Sequence, residues 1–178
     1  GSFTDIAERK QMEERLIHIS MRDGLTGLYN RAYFQEELRR LNDGRYAPIA
    51  VIVCDVDGLK LYNDSFGHMM GDRLIKAAAD ILLQNFRTSD VVARIGGDEF
   101  AVILPRASRE TVDMIMQRLK LSIEAFNAEN EEFLLSISTG MAIGHSKSVN
   151  LTQLFRDADN NMYREKNRNS QQIRAAIT

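Results

Sequence analysis

Apolar positions recur at helical spacing and then at strand spacing, several times along the chain. In residues 4–22, Met12, Leu16 and Ile19 fall four and three apart, a narrow stripe on an otherwise charged helix. So narrow a stripe suits a seam between two helices, and equally a helix lying on its own domain. Asp23-Gly24 breaks the pattern. Phe34, Leu38 and Leu41 mark a second helix, and residues 48–56 are almost continuously apolar, as in a strand buried on both faces. Leu74, Ala78, Ile81 and Leu82 give another helical face. Residues 90–95 and 100–104 read as two short strands joined through Gly96-Gly97, a hairpin that Pro105 ends. Val112, Ile115, Met116, Leu119, Ile123 and Phe126 form the cleanest helical stripe. Phe133, Leu135, Ile137, Thr139, Met141 and Ile143 alternate with smaller or more polar residues, as in a strand. Leu151, Leu154, Phe155, Ala158 and Met162 make the last long helix, and residues 172–177 add an edge strand. The pattern predicts an α/β (α+β) domain with a central five-stranded sheet, mixed and largely antiparallel, flanked by helices.

Composition narrows the function classes. The 178 residues, 44% hydrophobic and 27% charged, allow one domain plus an appendage: a linker or signalling helix over 1–22 and a domain over 23–178. Gly1-Ser2 reads as a cloning remnant. Net charge is −2 and no basic tract runs along the chain. A phosphate-bearing ligand is therefore expected to be a nucleotide held locally, not a nucleic-acid polymer. The one cysteine, Cys54, lies in an apolar run and reads as core packing. A reducing, cytoplasmic location fits, with a membrane anchor elsewhere in a parent protein left open. No apolar stretch approaches the roughly 18 residues of a membrane span.

The candidate chemistry is acidic. The buried strand ends in Cys54-Asp55-Val56-Asp57-Gly58-Leu59-Lys60, and alternation puts Asp55 and Asp57 on one face. A buried carboxylate is costly unless paired or bound to metal. If the hairpin bearing Asp98 and Glu99 neighbours this strand, three or four carboxylates converge, and a divalent cation such as Mg²⁺ relieves their repulsion. Farther on, Asn63 and Asp72 suit a purine: an amide offers donor and acceptor, and a carboxylate accepts from guanine N1–H and N2. Helix capping and turn formation account for the same two residues. His68 reads as structural.

At this point the residues resemble a known family. Arg94-Ile-Gly-Gly-Asp-Glu-Phe100 is similar to the motif that names the GGDEF diguanylate cyclases. Asp23-Gly-Leu-Thr-Gly-Leu-Tyr-Asn-Arg31, Asp55-Val-Asp-Gly-Leu-Lys60, Asn63-Asp64, Gly67-His-Met-Met-Gly-Asp72, Ser136-Ile-Ser-Thr-Gly140 and Ala158-Asp159 through Lys166 resemble further family motifs, in order. The resemblance implies a nucleotidyl-cyclase or polymerase-palm-like fold. It implies a reaction in which two GTP molecules condense to cyclic di-GMP and two pyrophosphates across a homodimer. It implies Mg²⁺ (or Mn²⁺), two ions per half-site, on Asp55, the Val56 carbonyl, Asp98 and Glu99, with Glu99 also activating the 3′-hydroxyl. By the same resemblance Asn63 and Asp72 hold guanine, and Asp72 opposes an ATP-using relative. Gly58, Leu59, Lys60 and Lys166 hold the β- and γ-phosphates. Arg87 and Asp90 match a product-inhibition site for cyclic di-GMP.

Two departures bear on the phosphates: the family often has an aromatic residue where Gly58 stands, which implies a looser loop over them, and it tends to carry Arg four residues beyond the final-helix lysine, where this chain has Ser170, with Arg168 nearby. The front segment, Phe3 through Leu16, resembles the tail of a PAS sensor domain running into its signalling helix, which implies an upstream sensor. The competing reading is a regulatory module that binds GTP or cyclic di-GMP without turnover. Loss of the signature acids is its usual mark, and Asp55, Asp98 and Glu99 are all present.

Overall fold

A computed structural model describes residues 2–177, without the side chains of His18, Ile19, Ala176 and Ile177. Ile19, third member of the predicted stripe, thus has its side chain outside the described residues. Among the described residues six helices and four strands follow in chain order: α1 (Ser2–Met21), α2 (Arg31–Arg40), β1 (Ile49–Val56), α3 (Leu59–Phe66), α4 (His68–Asn85), β2 (Val91–Arg94), β3 (Glu99–Leu104), α5 (Arg109–Glu129), β4 (Ile137–Gly144) and α6 (Leu151–Ile177).

All eight residues of β1 are buried, because helices cover both faces of the strand. Ala50, Ile52, Cys54 and Val56 point into one core with Leu74, Leu82 and Ile115 of α4 and α5. Ile49, Val51 and Val53 point into the other, with Phe34 of α2 and Ala158 and Met162 of α6. Each fully buried aliphatic side chain contributes about 1.5–3 kcal/mol, so β1 is the chief anchor of the domain.

The sheet order is β2-β3-β1-β4, and every strand pair is antiparallel. This corrects two expectations. The sheet is not mixed, although helical crossovers are present. β1 and β2 run the same way, but β3 sits between them; β3 and β4 run the same way, but β1 sits between them. Each crossover skips a strand, the split arrangement of ferredoxin-like folds. The sheet has four strands, not five, because residues 172–177 continue α6. No Gly or Pro follows Met162 to stop the helix, and Gln, Arg and Ala sustain it. Ile173 then extends the buried stripe of Ala158 and Met162 and is 1% exposed.

A smaller difference lies at Phe133 and Leu135. Both are buried, yet β4 begins only at Ile137. The side-chain amide of Asn127 takes the place of a partner strand: it donates to the Leu135 carbonyl and accepts from the Leu135 N–H, each at 2.8 Å.

Candidate functional site

The site forms where β1 ends beside the β2–β3 hairpin. The register sets Asp55 opposite Glu99, and the Val56 N–H donates to the Asp98 carbonyl at 2.8 Å. The hairpin is buttressed from the opening motif. The Arg94 guanidinium donates to both carboxylate oxygens of Asp23 at 3.2 Å and to the Gly97 carbonyl at 2.7 Å.

Asp55 is 1% exposed. Its Oδ2 lies 3.0 Å from the Nζ of Lys166 on α6, and its Oδ1 is buried without a partner. Burial pushes its pKa up to about 7; neighbouring Asp98 adds to the rise and Lys166 opposes it. Glu99 is also raised, first by burial and then by Asp159 and Asp98, against Lys166 and Arg31. Such a carboxylate favours a cation or a proton, and its bare oxygen suits a hard divalent metal.

The predicted convergence is only partly realised. Asp55, Asp98 and Glu99 lie within electrostatic reach of one another. Asp57 lies just beyond β1 and turns to the start of β4, where Ser136 Oγ, one residue before the strand, donates to its Oδ2 at 2.6 Å and Ser138 Oγ to its Oδ1 at 2.5 Å. Among the described residues no three acidic, His or Cys side chains stand ready as a metal cage. The serine partners were missed in the sequence. Their signal was there, since Ser136 and Ser138 alternate onto one face of a strand.

Beyond Asp57 the chain turns at Gly58, whose φ of +75° lies in the left-handed region. A side chain there is strained, and its Cβ would also collide with Ile173. The first hydrogen bond of α3 runs from the Tyr62 N–H to the Gly58 carbonyl at 2.9 Å. The N–H groups of Leu59 and Lys60 precede that bond, at a helix end that favours anions. Lys60 is exposed. In the same helix Asn63 packs over Gly71 of α4 so closely that any side chain at Gly71 would displace it. The Asn63 Oδ1 is buried without a partner, and Asp72 stands exposed at the next position of α4. A buried acceptor beside an exposed carboxylate offers what a purine edge with two donors requires.

The sequence matches the family described as "Diguanylate cyclase, GGDEF domain" over residues 20–172. The chain belongs to the GGDEF family. It is 32% identical over 167 residues to the probable diguanylate cyclase DgcT of Escherichia coli and 36% identical over 154 residues to the diguanylate cyclase DgcP of Pseudomonas aeruginosa. These alignments cover 90% and 83% of this chain but only 37% and 22% of the two relatives. The GGDEF relatives also include proteins named cyclic di-GMP phosphodiesterases, such as PdeR of Escherichia coli, 31% identical over 167 residues. Among solved structures, the coiled coil and GGDEF domain of DgcB from Caulobacter crescentus, in complex with c-di-GMP, superposes with a TM-score of 0.84 at 25% identity, covering 93% of this chain and 91% of that one. The GGDEF domain of DgcB without the coiled coil covers 83% of this chain.

Two features of this GGDEF domain differ from simple expectation. Arg87 and Asp90 are already bonded to each other. The guanidinium lies 2.8 Å from Asp90 Oδ1 and 3.0 Å from the Pro105 carbonyl, and the Arg87 main-chain N–H bonds Asp90 Oδ2 at 2.8 Å. A ligand at this place competes with an internal ion pair. Ser170, in turn, donates to the Lys166 carbonyl at 2.9 Å within its own helix. Arg168 lines the groove between α5 and α6 with Lys120, Glu124 and Gln172, away from Lys166.

Proposed function

We propose that this chain is a diguanylate cyclase domain that condenses two GTP molecules into cyclic di-GMP and two pyrophosphates, one GTP on each of two facing copies. The single observation that carries this reading is Asp55: a carboxylate buried beside Asp98 and Glu99, with one oxygen left bare. A catalytically silent module has no use for so unfavourable a group.

Asn63 and Asp72 read guanine, the bare Asn63 oxygen accepting from the base. The N–H groups of Leu59 and Lys60, beyond the Gly58 turn, hold the β- and γ-phosphates with Lys166. Asp55, the Val56 carbonyl, Asp98 and Glu99 form the donor set for Mg²⁺ or Mn²⁺, two per half-site; all are hard oxygens. Bound there, the metal neutralises charge on the transferring phosphoryl group. Glu99 takes the proton of the 3′-hydroxyl, whose oxygen forms a bond to the α-phosphorus of the opposite GTP. The bond to the bridging β-phosphate oxygen breaks, and pyrophosphate leaves. Positioning supplies most of the rate.

Dimerisation follows from α1. Its residues 2–17 are exposed, with Met12 and Leu16 at 63% and 65%. A lone helix of this kind gains little stability by itself, and pairing with its copy covers the stripe. The rise in coverage from 83% to 93% when the DgcB coiled coil is included supports this. On this reading residues 1–22 are the signalling helix of an upstream PAS sensor and residues 23–178 the catalytic domain, in the cytoplasm. Among the described residues no helix is long and apolar enough to cross a membrane. Cyclic di-GMP binds at Arg87 and Asp90 and restrains turnover. Incubating concentrated protein with GTP and Mg²⁺ is the test. Cyclic di-GMP is the expected product; tight GTP binding with no product would establish a regulatory module instead.

A further inference from the structure

Asp57 has the position of a metal ligand without the geometry of one. It is 1% exposed and lies two residues beyond Asp55, in the turn that follows β1. Each of its carboxylate oxygens takes a short bond from a serine hydroxyl, Oδ2 from Ser136 and Oδ1 from Ser138. Its own N–H donates to the Ser136 carbonyl at 2.8 Å. The chain of bonds continues outward: Ser138 Oγ accepts from the Asn169 side-chain amide at 3.1 Å. Asn169 lies three residues beyond Lys166, so the two project from neighbouring positions of one helix face.

These bonds join three elements: the β1 terminus, β4 and α6. A helix packed only through apolar contacts tolerates small rotations, whereas a buried polar chain admits one arrangement. Lys166 needs that precision. Its ammonium sits on a flexible four-carbon stem, and it must reach a carboxylate that is almost fully buried.

We propose that Asp57 and Asn169 are positioning residues: the chain Asp57–Ser138–Asn169 fixes the rotation of α6 that sets Lys166 at Asp55, and Asp57 itself does not hold metal. The inference rests on the proposed function only for what Lys166 then does to a phosphate.

The test is a double-mutant cycle. Asn169→Ala, Lys166→Ala and the double variant are titrated calorimetrically with a non-hydrolysable GTP analogue and Mg²⁺. Asn169→Ala is expected to weaken binding about tenfold while Lys166 is present, the scale of a slightly misplaced contact. It should weaken binding less than about twofold once Lys166 is gone. Additive losses would overturn the proposal. Asp57→Asn should keep its Mn²⁺ affinity within about twofold of wild type, since no ligand is removed; loss of Mn²⁺ binding would make Asp57 a ligand and overturn the assignment. Alanine is the best helix former, so Asn169→Ala carries the test even if Asp57→Asn fails to fold. If the wild type binds neither GTP nor Mn²⁺, the proposed function fails, and the nitrogen resonance of the Lys166 ammonium still decides this point. A shift in Asn169→Ala supports positioning, and an unmoved resonance refutes it.

Discussion

Replacing Asp55 with Asn should stabilise the metal-free protein while abolishing its chemistry. Folding takes this carboxylate from its ordinary pKa of 3.8 to about 7, through burial above all. Between those two values the folded state binds the proton more tightly than the unfolded state. Wild-type stability therefore falls as pH rises through that window and stays low above it. The gap sets an upper bound of ~4 kcal/mol at about 1.4 kcal/mol per pKa unit. The amide recovers less than this. Lys166 can still donate to the new side-chain oxygen, but the amide nitrogen inherits the unpartnered place of Oδ1, at about 1–3 kcal/mol. A net gain of about 2 kcal/mol above pH 7 is expected, falling as pH drops and becoming a net loss of about 2 kcal/mol near pH 4, where the wild-type carboxyl is neutral in the fold. Chelator-treated protein, unfolded in urea at several pH values, gives the comparison directly. A pH-independent difference, or a loss that grows above pH 7, would sink the argument that Asp55 is held charged against its surroundings. In the same melts Mn²⁺ should stabilise the wild type and leave Asp55→Asn unchanged.

Arg87→Ala should relieve product inhibition without lowering the initial rate, and it should also cost about 1–3 kcal/mol of stability, because the buried Asp90 loses its charged partner. Progress curves with added cyclic di-GMP check the first part, and unchanged inhibition refutes the site. Gly71→Ala should push Asn63 from its seat and weaken GTP binding about tenfold, the loss of one good base contact; unaltered affinity in a binding titration would remove Asn63 from the base site. Deleting residues 2–20 should lower dimerisation, measured by analytical ultracentrifugation, and with it turnover per protomer; no change in either separates α1 from assembly.

The parts of the fold that the sequence made legible are those where burial dictates pattern. β1 reads as a doubly covered strand because two cores press on it, and the hairpin reads because two apolar runs flank the Gly96-Gly97 pair. The end of α6 was misread because Gln172-Ile173-Arg174 alternates like a strand and the segment is too short to show a helical period. Only the absence of a stop signal distinguishes helix from strand there. That the sheet is wholly, not just largely, antiparallel was hidden for another reason. Strand direction follows from which strand slips between two others, and local sequence does not record this. At the site, the expectation was conditional on the hairpin neighbouring β1, and the register meets that condition, setting Asp55 opposite Glu99. Asp57 was grouped with them because alternation gives its face but not its partners. The two serines that claim it come from 79 and 81 residues later.

Those separations have a consequence for how the protein is made. Both crossovers skip a strand, so almost every contact at the site is long-range, and such topologies fold slowly because loop closure precedes reward. During synthesis β1 and the hairpin emerge before α6, which brings Lys166 and Asn169. Until it docks, one face of β1 lacks its cover and Asp55 lacks its cation. No partly folded nascent chain can therefore possess a finished site, and a ribosome stalled before α6 should display a protease-sensitive domain with no nucleotide affinity.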